Sequence, residues 1–431
     1  MIQTAREQWP TKRLRFVTQR GLSEEQRRLL SQVSRVTFVP MEAIGERGEI
    51  DVSALREIEE VRTGYTQFFD GDVVVAKSTP CFENGKGALV EGILGGVGFG
   101  TTELHVLTPT SELEGRFLYY VTASAEFRGL GAACMTGAAG QKRVPEDFVR
   151  DYRTSVPPLP RQRAIADYLD RETARLDALV AAKERVLGLL AEKRRALITR
   201  AVTRGLDPHA PLRDSGIPWL GEIPRHWEIW KLGHMASIGN GSTPSRDNAN
   251  YWAGGTIPWL NSSVVNQEEV TEADQFVTPV AFRECHLPLV RRGSVLMAIT
   301  GQGKTRGQAV VLSFDATINQ HLASISPSGL PLDSWYLRWT LFAAYDFLRR
   351  ISDDAGGTKG ALTCEEVAGL RVPVPAIDEQ RAIVEHIVAE SAKFSALRSV
   401  TERTVALLKE RRAALIAAAV TGQIDVQEAI T

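Results

Sequence analysis

Residues 162–207 read QRAIADYLDRETARLDALVAAKERVLGLLAEKRRALITRAVTRGLD, and residues 380–425 read QRAIVEHIVAESAKFSALRSVTERTVALLKERRAALIAAAVTGQID. The two stretches align without a gap, 218 positions apart, and close to half of the positions are identical. Self-similarity at a fixed distance is typical of one structural unit used twice. The sequence therefore predicts a chain with two similar halves.

Both copies have the composition of a long helix, since they are rich in Ala, Leu, Glu, Arg and Lys and free of Pro. Prolines at 157–160 and 373–375 precede the copies, and Gly205 and Gly422 lie at their far ends. Apolar residues recur near the 3.5-residue spacing of a coiled coil, which predicts that the two helices pack against each other. The predicted seam comprises Ile165, Leu169, Leu176, Leu179, Leu190, Leu197, Ile383, Ile387, Phe394, Leu397, Leu408 and Leu415.

The repeat extends beyond the helices but becomes fainter. WPTKRL at 9–14 matches WEIWKL at 227–232, GDVVVAKS from Gly71 resembles GSVLMAIT from Gly293, and GQKRV from Gly140 resembles GTKGA from Gly357. Between these anchors the halves diverge, as two recognition modules with one fold and different targets would. We predict α/β domains at 1–156 and 207–372, each followed by a spacer helix, at 157–206 and 373–425.

The bulk composition is that of folded globular domains, with 43% hydrophobic and 24% charged residues. No apolar run approaches the roughly 20 residues that cross a bilayer, and the N-terminus lacks a secretory core, so a cytoplasmic protein without membrane contact is expected. The four cysteines lack C-x-x-C spacing, and we expect no metal site. A net charge of −1 is unusual for a DNA-binding protein, unless partner subunits hold much of the phosphate backbone.

One motif suggests catalysis but lacks the context for it. AITGQGKT at 298–305 fits a relaxed phosphate-loop pattern, yet RGQAVVLSF follows it, which alternates like a strand where a helix is required. STPCFENGKGALV is its counterpart in the first half, and we interpret both as strand-loop-strand recognition loops. An adenine methyltransferase also needs an Asn/Asp-Pro-Pro-aromatic element, which the sequence lacks. The sequence predicts no catalytic residue and no cofactor in this chain.

The chain resembles the specificity subunit of type I restriction-modification systems over nearly its whole length. The resemblance is carried by DSGIPWLGEIPRHWEIWKL at 214–232, by PVPAIDEQRAI and PPLPRQRAI before the helices, and by KERRAALIAAAVTGQID at the helix end. It implies two target-recognition domains of mixed α/β fold, separated by antiparallel coiled-coil helices with pseudo-twofold symmetry.

The same resemblance implies function and partners. Each recognition domain would read one half of a split site in double-stranded DNA. Two modification subunits would methylate adenine, and restriction subunits would cleave DNA, with S-adenosylmethionine and ATP bound by those partners and not by this chain. Half-sites on one face of B-DNA lie about 34 Å apart per turn, so long helices could fix their separation.

Candidate DNA contacts are polar and basic residues in predicted loops, because Arg and Lys read guanine, Asn and Gln read adenine, and hydroxyl groups bind the backbone. In the first half they are Lys77, Ser78, Thr79, Asn84, Lys86, Gln141, Lys142 and Arg143. In the second half they are Asn240, Ser242, Thr243, Ser245, Arg246, Asn248, Asn261, Ser262, Lys304, Thr305, Arg306, Thr358 and Lys359. Ordinary turn chemistry explains any single one equally well. Arg194, Arg195, Arg411 and Arg412 fit a solvated helix face better than a phosphate contact.

Two other functions stay open at this point. A coiled-coil scaffold that binds proteins without reading DNA would have the same helices. A nucleotide-dependent enzyme would depend on Lys304.

Overall fold

The computed structural model describes residues 9–137, 140–301, 303–328, 331–354 and 360–426. The chain divides into two compact units, which we call unit 1 (residues 1–185 with 402–431) and unit 2 (residues 186–401). Within the described ranges, no helix combines the length and the apolar character needed to span a bilayer.

Unit 1 contains nine strands and five short helices among its described residues. The strands are β1 Thr11–Arg13, β2 Arg35–Val39, β3 Leu55–Glu57, β4 Thr66–Phe69, β5 Val73–Ala76, β6 Gly87–Leu89, β7 Val97–Gly100, β8 Leu104–Leu107 and β9 Arg153–Ser155. The helices are α1 Glu24–Gln32, α2 Ile58–Val61, α3 Gly115–Ala123, α4 Ala125–Ala133 and α5 Glu146–Asp151. The strands form a four-stranded sheet in the order β3-β2-β7-β4, a three-stranded sheet β6-β5-β8, and the antiparallel pair β1-β9.

Two long helices are shared between the units. They are α6 Leu159–Arg204, whose residues to 185 belong to unit 1, and α12 Ile377–Val420, whose residues from 402 belong to unit 1.

Unit 2 contains the remaining elements. Its strands are β10 Leu212–Asp214, β11 Glu222–Pro224, β12 Glu228–Lys231, β13 Ala236–Asn240, β14 Ile257–Leu260, β15 Glu269–Val270, β16 Phe276–Val277, β17 Val295–Ala298, β18 Ala309–Leu312, β19 Thr317–Ile318, β20 Leu322–Pro327 and β21 Arg371–Val374. Its short helices are α7 Ala249–Trp252, α8 Pro279–Glu284, α9 Ser334–Ala343, α10 Tyr345–Asp354 and α11 Cys364–Gly369. The main sheet has the order β13-β20-β17-β18-β15, beside a three-stranded sheet β16-β14-β19 and the pairs β10-β11 and β12-β21.

The central strand of each unit is buried on both faces. In β17, Val295 and Met297 belong to the apolar cluster that contains α9, whereas Leu296 and Ala298 belong to a second cluster on the other face. Side chains alternate between the faces of a strand, so a continuous apolar run fits a strand covered on both sides. The corresponding strand β5, with the sequence VVVA, is buried throughout in unit 1.

The predicted fold class is confirmed as mixed helix and strand with two long helices. Within unit 1 the two helices run antiparallel, because Arg412 Nε donates to Asp177 Oδ2 at 3.1 Å and Lys409 Nζ donates to Glu184 Oε1 at 3.1 Å. The division of the chain into recognition and spacer segments stays a prediction.

The predicted seam needs a correction at two positions. Leu179 and Leu397 are 42% and 56% exposed, whereas Val180 and Val405 are 2% and 8% exposed. A straight helix has 3.6 residues per turn, so its buried stripe drifts away from a strict heptad. Of the other seam residues, Ile165, Leu169, Leu176, Ile383 and Ile387 are buried, and Leu190, Leu197, Phe394, Leu408 and Leu415 are half-buried.

A buried glutamine fixes the start of each long helix, and it is the first residue of the QRAI repeat. Gln162 is 0% exposed, its Nε2 donates to the carbonyl oxygens of Pro157 and Glu112 at 2.8 Å, and its Oε1 accepts from the Glu114 amide at 2.8 Å. The Glu114 carboxylate in turn caps α3 by accepting from the Phe117 amide. One side chain thus joins the long helix α6 to the start of helix α3.

Gln380 makes the same contacts in unit 2. Its Nε2 donates to the carbonyl oxygens of Pro375 and Pro331 at 2.9 Å, and its Oε1 accepts from the amide of Asp333, the residue that caps α9. An apolar side chain at this position would leave several buried backbone groups without hydrogen-bond partners, which is energetically unfavourable.

We expect Gln380→Leu, which keeps the side-chain volume, to lower the free energy of unfolding by about 2–4 kcal/mol, because buried backbone groups lose their partners. Urea unfolding followed by tryptophan fluorescence measures this, since seven of the eight tryptophans lie in unit 2. The control is Gln267→Leu, at an exposed position of the same unit, which should change stability by less than about 0.5 kcal/mol. Equal effects of the two changes would contradict this role of Gln380.

Candidate nucleic-acid interface

Several loops of unit 2 leave its main sheet at the same end. Asn240, the last residue of β13, pairs with Ala323 near the start of β20, and Ala298, the last residue of β17, pairs with Leu322. Because these neighbours are antiparallel, the loop after β13, the loop after β17 and the loop before β20 emerge together. This end of the sheet carries the predicted residues Asn240, Ser242, Thr243, Lys304 and Thr305.

Side-chain hydrogen bonds connect these loops into one polar surface. Thr243 Oγ1 donates to Gln320 Oε1 at 2.6 Å, and Thr300 Oγ1 lies 2.7 Å from His321 Nδ1. The Asn319 amide donates to the Leu260 carbonyl at 2.9 Å, which brings the loop that starts at Asn261 to the same place.

Sequence analysis missed Gln320 and His321, which are exposed near the middle of this surface. The available signal was a short Asn-Gln-His turn between two buried strands, β19 and β20. Such a turn joins adjacent core strands, so its side chains lie at the end of the sheet.

Two tryptophans hold the loop that follows β13. Trp259 Nε1 donates to the Ser242 carbonyl at 3.1 Å, and Trp252 Nε1 donates to the Ser245 carbonyl at 2.9 Å. The Arg246 guanidinium lies 3.8 Å from the Trp252 ring centroid and donates to Gln275 Oε1 at 2.6 Å. A cation–π contact and a hydrogen bond therefore orient an exposed arginine, which lowers the entropy it loses on binding.

Three of the polar candidates also have local roles. Asn248 caps α7, and Asn261 caps the following 3-10 turn at Ser262–Asn266, each through its side-chain oxygen. Ser242 Oγ donates to the Cys285 carbonyl at 3.3 Å. The amide nitrogens of the two asparagines are not used by the caps.

Arg306 corrects one predicted contact. Its side chain is 2% exposed, and its guanidinium donates to the Gly360 carbonyl and to Asp353 Oδ1. A guanidinium buried in this way braces the loop from inside and does not present itself to DNA. Lys304, two residues earlier, is exposed, and Thr358 and Lys359 lie outside the described residues.

In unit 1 the two predicted groups of residues lie side by side. The Thr79 amide donates to the Lys142 carbonyl at 2.9 Å, the Val144 amide donates to the Lys77 carbonyl at 2.8 Å, and Ser78 forms a β-bridge with Arg143. The loop after β5 and the segment before α5 thus form one short ladder, with Gln141 next to it on the exposed side.

Charged side chains tie this ladder to its neighbours. Arg143 Nε and Nη2 donate to Glu103 at 2.8 and 2.7 Å, and these hydrogen bonds lower the pKa of the Glu103 carboxyl. Lys86 Nζ donates to the Met41 carbonyl at 2.8 Å, whereas Asn84 is exposed. Arg143 and Lys86 therefore already have protein partners, and Lys142 is the more accessible cation.

Sequence analysis also missed Arg128 on α4, which shapes the loop after β5 from below. Its Nη1 and Nη2 donate to the carbonyl oxygens of Phe82 and Gly85 at 3.1 Å, and its guanidinium lies 4.8 Å from the Phe82 ring centroid. Burial lowers the pKa of Arg128 to about 10, so the side chain stays charged at neutral pH.

The two units share one backbone hydrogen-bond frame around these loops. The amides of Ala76 and Ala298, 222 positions apart, donate to the carbonyl oxygens of Lys86 and Gln308, which closes two loops of equal length. The Lys77 amide donates to the Glu103 carbonyl at 2.9 Å, as the Ile299 amide does to the His321 carbonyl at 3.0 Å. The anchors are the same in both units, and the side chains between them differ.

This frame shifts one proposed alignment by a residue. The Val144 amide donates to the Lys77 carbonyl as the Leu362 amide donates to the Ile299 carbonyl. Val144 thus corresponds to Leu362, whereas pairing Gly140 with Gly357 would have placed it opposite Ala361. The glycine-lysine resemblance was too short to fix its own register.

The structure agrees with the strand-loop-strand interpretation of the phosphate-loop motif. The residues after AITGQGKT form strand β18, and those after the unit 1 loop form strand β6. Among the described residues no group of three or more potential metal ligands is present.

Comparison with known proteins shows which proteins the chain resembles. Residues 224–393 match the sequence profile described as "Type I restriction modification DNA specificity domain". The chain is also 46% identical over 134 residues to the EcoEI specificity subunit of Escherichia coli, a match that covers 30% of this chain and 22% of that protein. The chain is therefore similar, over these segments, to specificity subunits of type I restriction-modification systems, and it spans less than a third of the length of that relative.

Solved structures extend the likeness of fold to nearly the whole chain. One is a chain from a study of complex assembly and conformational transition of the type I R-M system, with a TM-score of 0.73, 19% identity, and 96% and 98% of the two chains covered. The other is the HsdS subunit from Thermoanaerobacter tengcongensis, with a TM-score of 0.57, 19% identity, and 96% and 97% covered. The predicted resemblance to specificity subunits is thereby confirmed.

Lys304 is exposed and Arg306 is buried in the same loop, so substitution of each residue should affect stability differently. We expect Arg306→Met to lower the free energy of unfolding by about 1–3 kcal/mol, because the Gly360 carbonyl loses a buried partner. Lys304→Met should change it by less than about 0.5 kcal/mol. Urea unfolding of both variants tests this, and a larger loss for Lys304→Met would reverse the two assignments.

The ladder in unit 1 should loosen in acid because of His105. Its side chain is 8% exposed, its Nε2 lies 3.0 Å from the Val144 carbonyl, and burial lowers its pKa below the ordinary 6.5, with Lys77 acting in the same direction. The hydrogen bond to the Val144 carbonyl opposes this lowering of the pKa, as do Glu146 and Glu103 to a smaller extent, but burial outweighs them. The unfolded state therefore takes up the proton first as pH falls below 6.5, and the stability contributed by neutral His105 is lost from there downward.

Hydrogen exchange of the Val144 amide, corrected for the intrinsic rate, measures this effect between about pH 7.5 and 5.5. Protection should fall with pH in the native sequence and stay level in His105→Gln, which cannot be protonated. A parallel fall in both proteins would rule out His105 as the cause.

Proposed function

We propose that the chain reads a split sequence in double-stranded DNA, one half with the loops of each unit. In unit 2 the reading surface comprises the loops around Thr243, Lys304 and His321, and in unit 1 it comprises the ladder around Lys77 and Lys142. The observation that supports this most strongly is that both units keep the same backbone anchors and loop length while the exposed side chains differ. Different targets read by one fold require this arrangement.

The chemistry of the exposed groups suits base and backbone contacts. Amide, hydroxyl and ammonium groups in unit 2 can donate to base edges and phosphate oxygens. Arg246 is oriented by its tryptophan and presents a fork of donors that matches guanine. The net charge of −1 leaves little non-specific attraction, which fits a subunit that specifies sequence while partners contribute phosphate contacts.

The proposal assigns the reaction to other chains. In this assignment the subunit is not catalytic, modification subunits that bind S-adenosylmethionine methylate adenine in each half-site, and restriction subunits that use ATP cleave DNA. Residues 1–156 and 207–372 are the recognition domains, and 157–206 and 373–425 are the helices that hold two modification subunits.

Methylome sequencing of the source strain with and without this gene tests the proposal. Deletion should remove one split motif that contains methylated adenine, because no other chain in the complex would specify it. Re-expression of Gln320→Ala with His321→Ala should relax one half of that motif, and Lys77→Ala with Lys142→Ala should relax the other half.

The control is Arg371→Ala, at an exposed position of β21, which should leave the motif intact. If the chain copurifies with methyltransferase subunits and neither pair of changes alters the motif, the loops do not read DNA. The chain would then act as a coiled-coil scaffold.

A further inference from the structure

Unit 2 contains a cavity of about 350 Å³ whose charges do not balance. Four cationic side chains line it, from α6, from α9 and from the loop after β17, together with a single carboxylate. The cations are Arg194, Arg195, Arg338 and Lys304, and the carboxylate is Glu268. We call this site the arginine cavity.

Glu268 cannot neutralise these cations. It accepts from Arg194 Nη2 at 2.6 Å and lies 3.9 Å from Arg338 Nη2, so one exposed carboxylate is shared by two arginines. Arg195 has a separate partner, Asp346, at 2.8 Å. The site keeps an excess of positive charge at neutral pH.

Arg338 is the least compensated of these groups. Its side chain is 8% exposed, and its Nε and Nη1 are buried without a hydrogen-bond partner in the protein. The guanidinium lies 3.8 Å from the Trp339 ring centroid, and burial lowers its pKa to about 10, so it remains charged. By contrast, Arg128 and Arg306 are equally buried but donate to backbone carbonyl oxygens.

Unit 1 supplies at the equivalent place the carboxylate that unit 2 lacks. Arg412, which corresponds to Arg194 in the repeat, donates to Asp177 at 3.1 Å, and Arg47 lies 3.2 Å from the same carboxylate. Asp177 corresponds to Ser395, 218 positions later, so unit 2 has a hydroxyl where unit 1 has an acid. In unit 2 the buried cation Arg338 shares one exposed carboxylate with Arg194, and this incomplete compensation favours an anion from outside the chain.

We propose that the arginine cavity binds a phosphate-type oxyanion, held by Arg338 and Arg194 with Lys304 on the recognition-loop side. Guanidinium groups match phosphate oxygens in geometry, and an ammonium group adds a point charge. The same chemistry is offered by a backbone phosphate of DNA and by a free phosphate. The inference goes beyond the proposed function, because a free phosphate occupies the site whether or not the chain reads a sequence.

Thermal unfolding of the full chain in inorganic phosphate, against sodium chloride of equal ionic strength, tests for the site. Phosphate should raise the Tm with a saturating concentration dependence, as expected for a ligand that binds the folded state only. Arg338→Met should raise the phosphate Kd at least about tenfold, since a charge-assisted hydrogen bond is lost. Arg371→Met, at an exposed position of the same unit, is the matched control and should respond like the native chain.

Lys304→Met keeps the test decisive if Arg338→Met fails to fold. The Lys304 side chain is exposed, so its loss should leave the Tm in chloride unchanged and should weaken only the response to phosphate. Equal shifts in phosphate and chloride for the native chain would show that no specific phosphate site exists, and would overturn the proposal.

The salt dependence of DNA binding distinguishes a DNA phosphate from a free phosphate. It is measured on the complex of this chain with its methyltransferase subunits. If a DNA phosphate occupies the cavity, Arg194→Met, which removes a cavity cation that lies outside the reading loops, should reduce the slope of log Kobs against log salt by about 1. An unchanged slope together with phosphate stabilisation assigns the site to a free phosphate. A negative methylome test leaves the phosphate result standing, so the two proposals fail separately.

Discussion

The buried amides of Gln162 and Gln380 are the constraint on which the rest of each unit depends. Each satisfies two carbonyl oxygens and one amide where a long helix, the segment after the preceding strand and a capped helix meet; the capped helix is α3 in unit 1 and α9 in unit 2. Buried polar groups must be paired, so these three elements hold their relative position only while the glutamine is present. The central strands, buried on both faces, are then placed between the helical layer and the second apolar cluster.

Because this core is fixed, the side chains of the loops can vary in sequence. Each loop is closed by backbone hydrogen bonds, such as those from the amides of Ala76 and Ala298, which any side chain permits. Side chains between the anchors can change without disturbing the sheet, because they contact solvent and one another. Recognition by such loops needs buried braces, and Arg128 and Arg306 act as braces in units 1 and 2.

The sequence predicted what periodicity and repetition control. Two gapless copies predicted two long helices, and the strand-like alternation of RGQAVVLSF after AITGQGKT predicted the strand-loop-strand unit that the structure contains. The predictions from sequence were wrong where tertiary packing decides which side chains are buried. Leu179 lies outside the buried stripe because the helix does not follow a strict heptad, and Arg306 is buried because Asp353 and the Gly360 carbonyl come from a distant part of the chain.

The contacts between loops at the end of the sheet also could not be predicted from a single sequence. Gln320 and His321 join the candidate surface because β20 pairs with both β13 and β17, and no local pattern encodes that order. In the proposed function, base choice depends in the same way on loop geometry and DNA shape, which loop composition does not encode.

The central claim is that each unit carries its own reading surface on a shared frame, and duplication of one unit's loops tests it most directly. Residues 228–374 would be replaced by a second copy of residues 10–156, which the repeat aligns at a distance of 218 positions. Methylome sequencing of cells that express this chain with its methyltransferase subunits should reveal a split motif whose two halves are the same sequence. A folded chain that still directs methylation to the original pair of different halves would contradict the account.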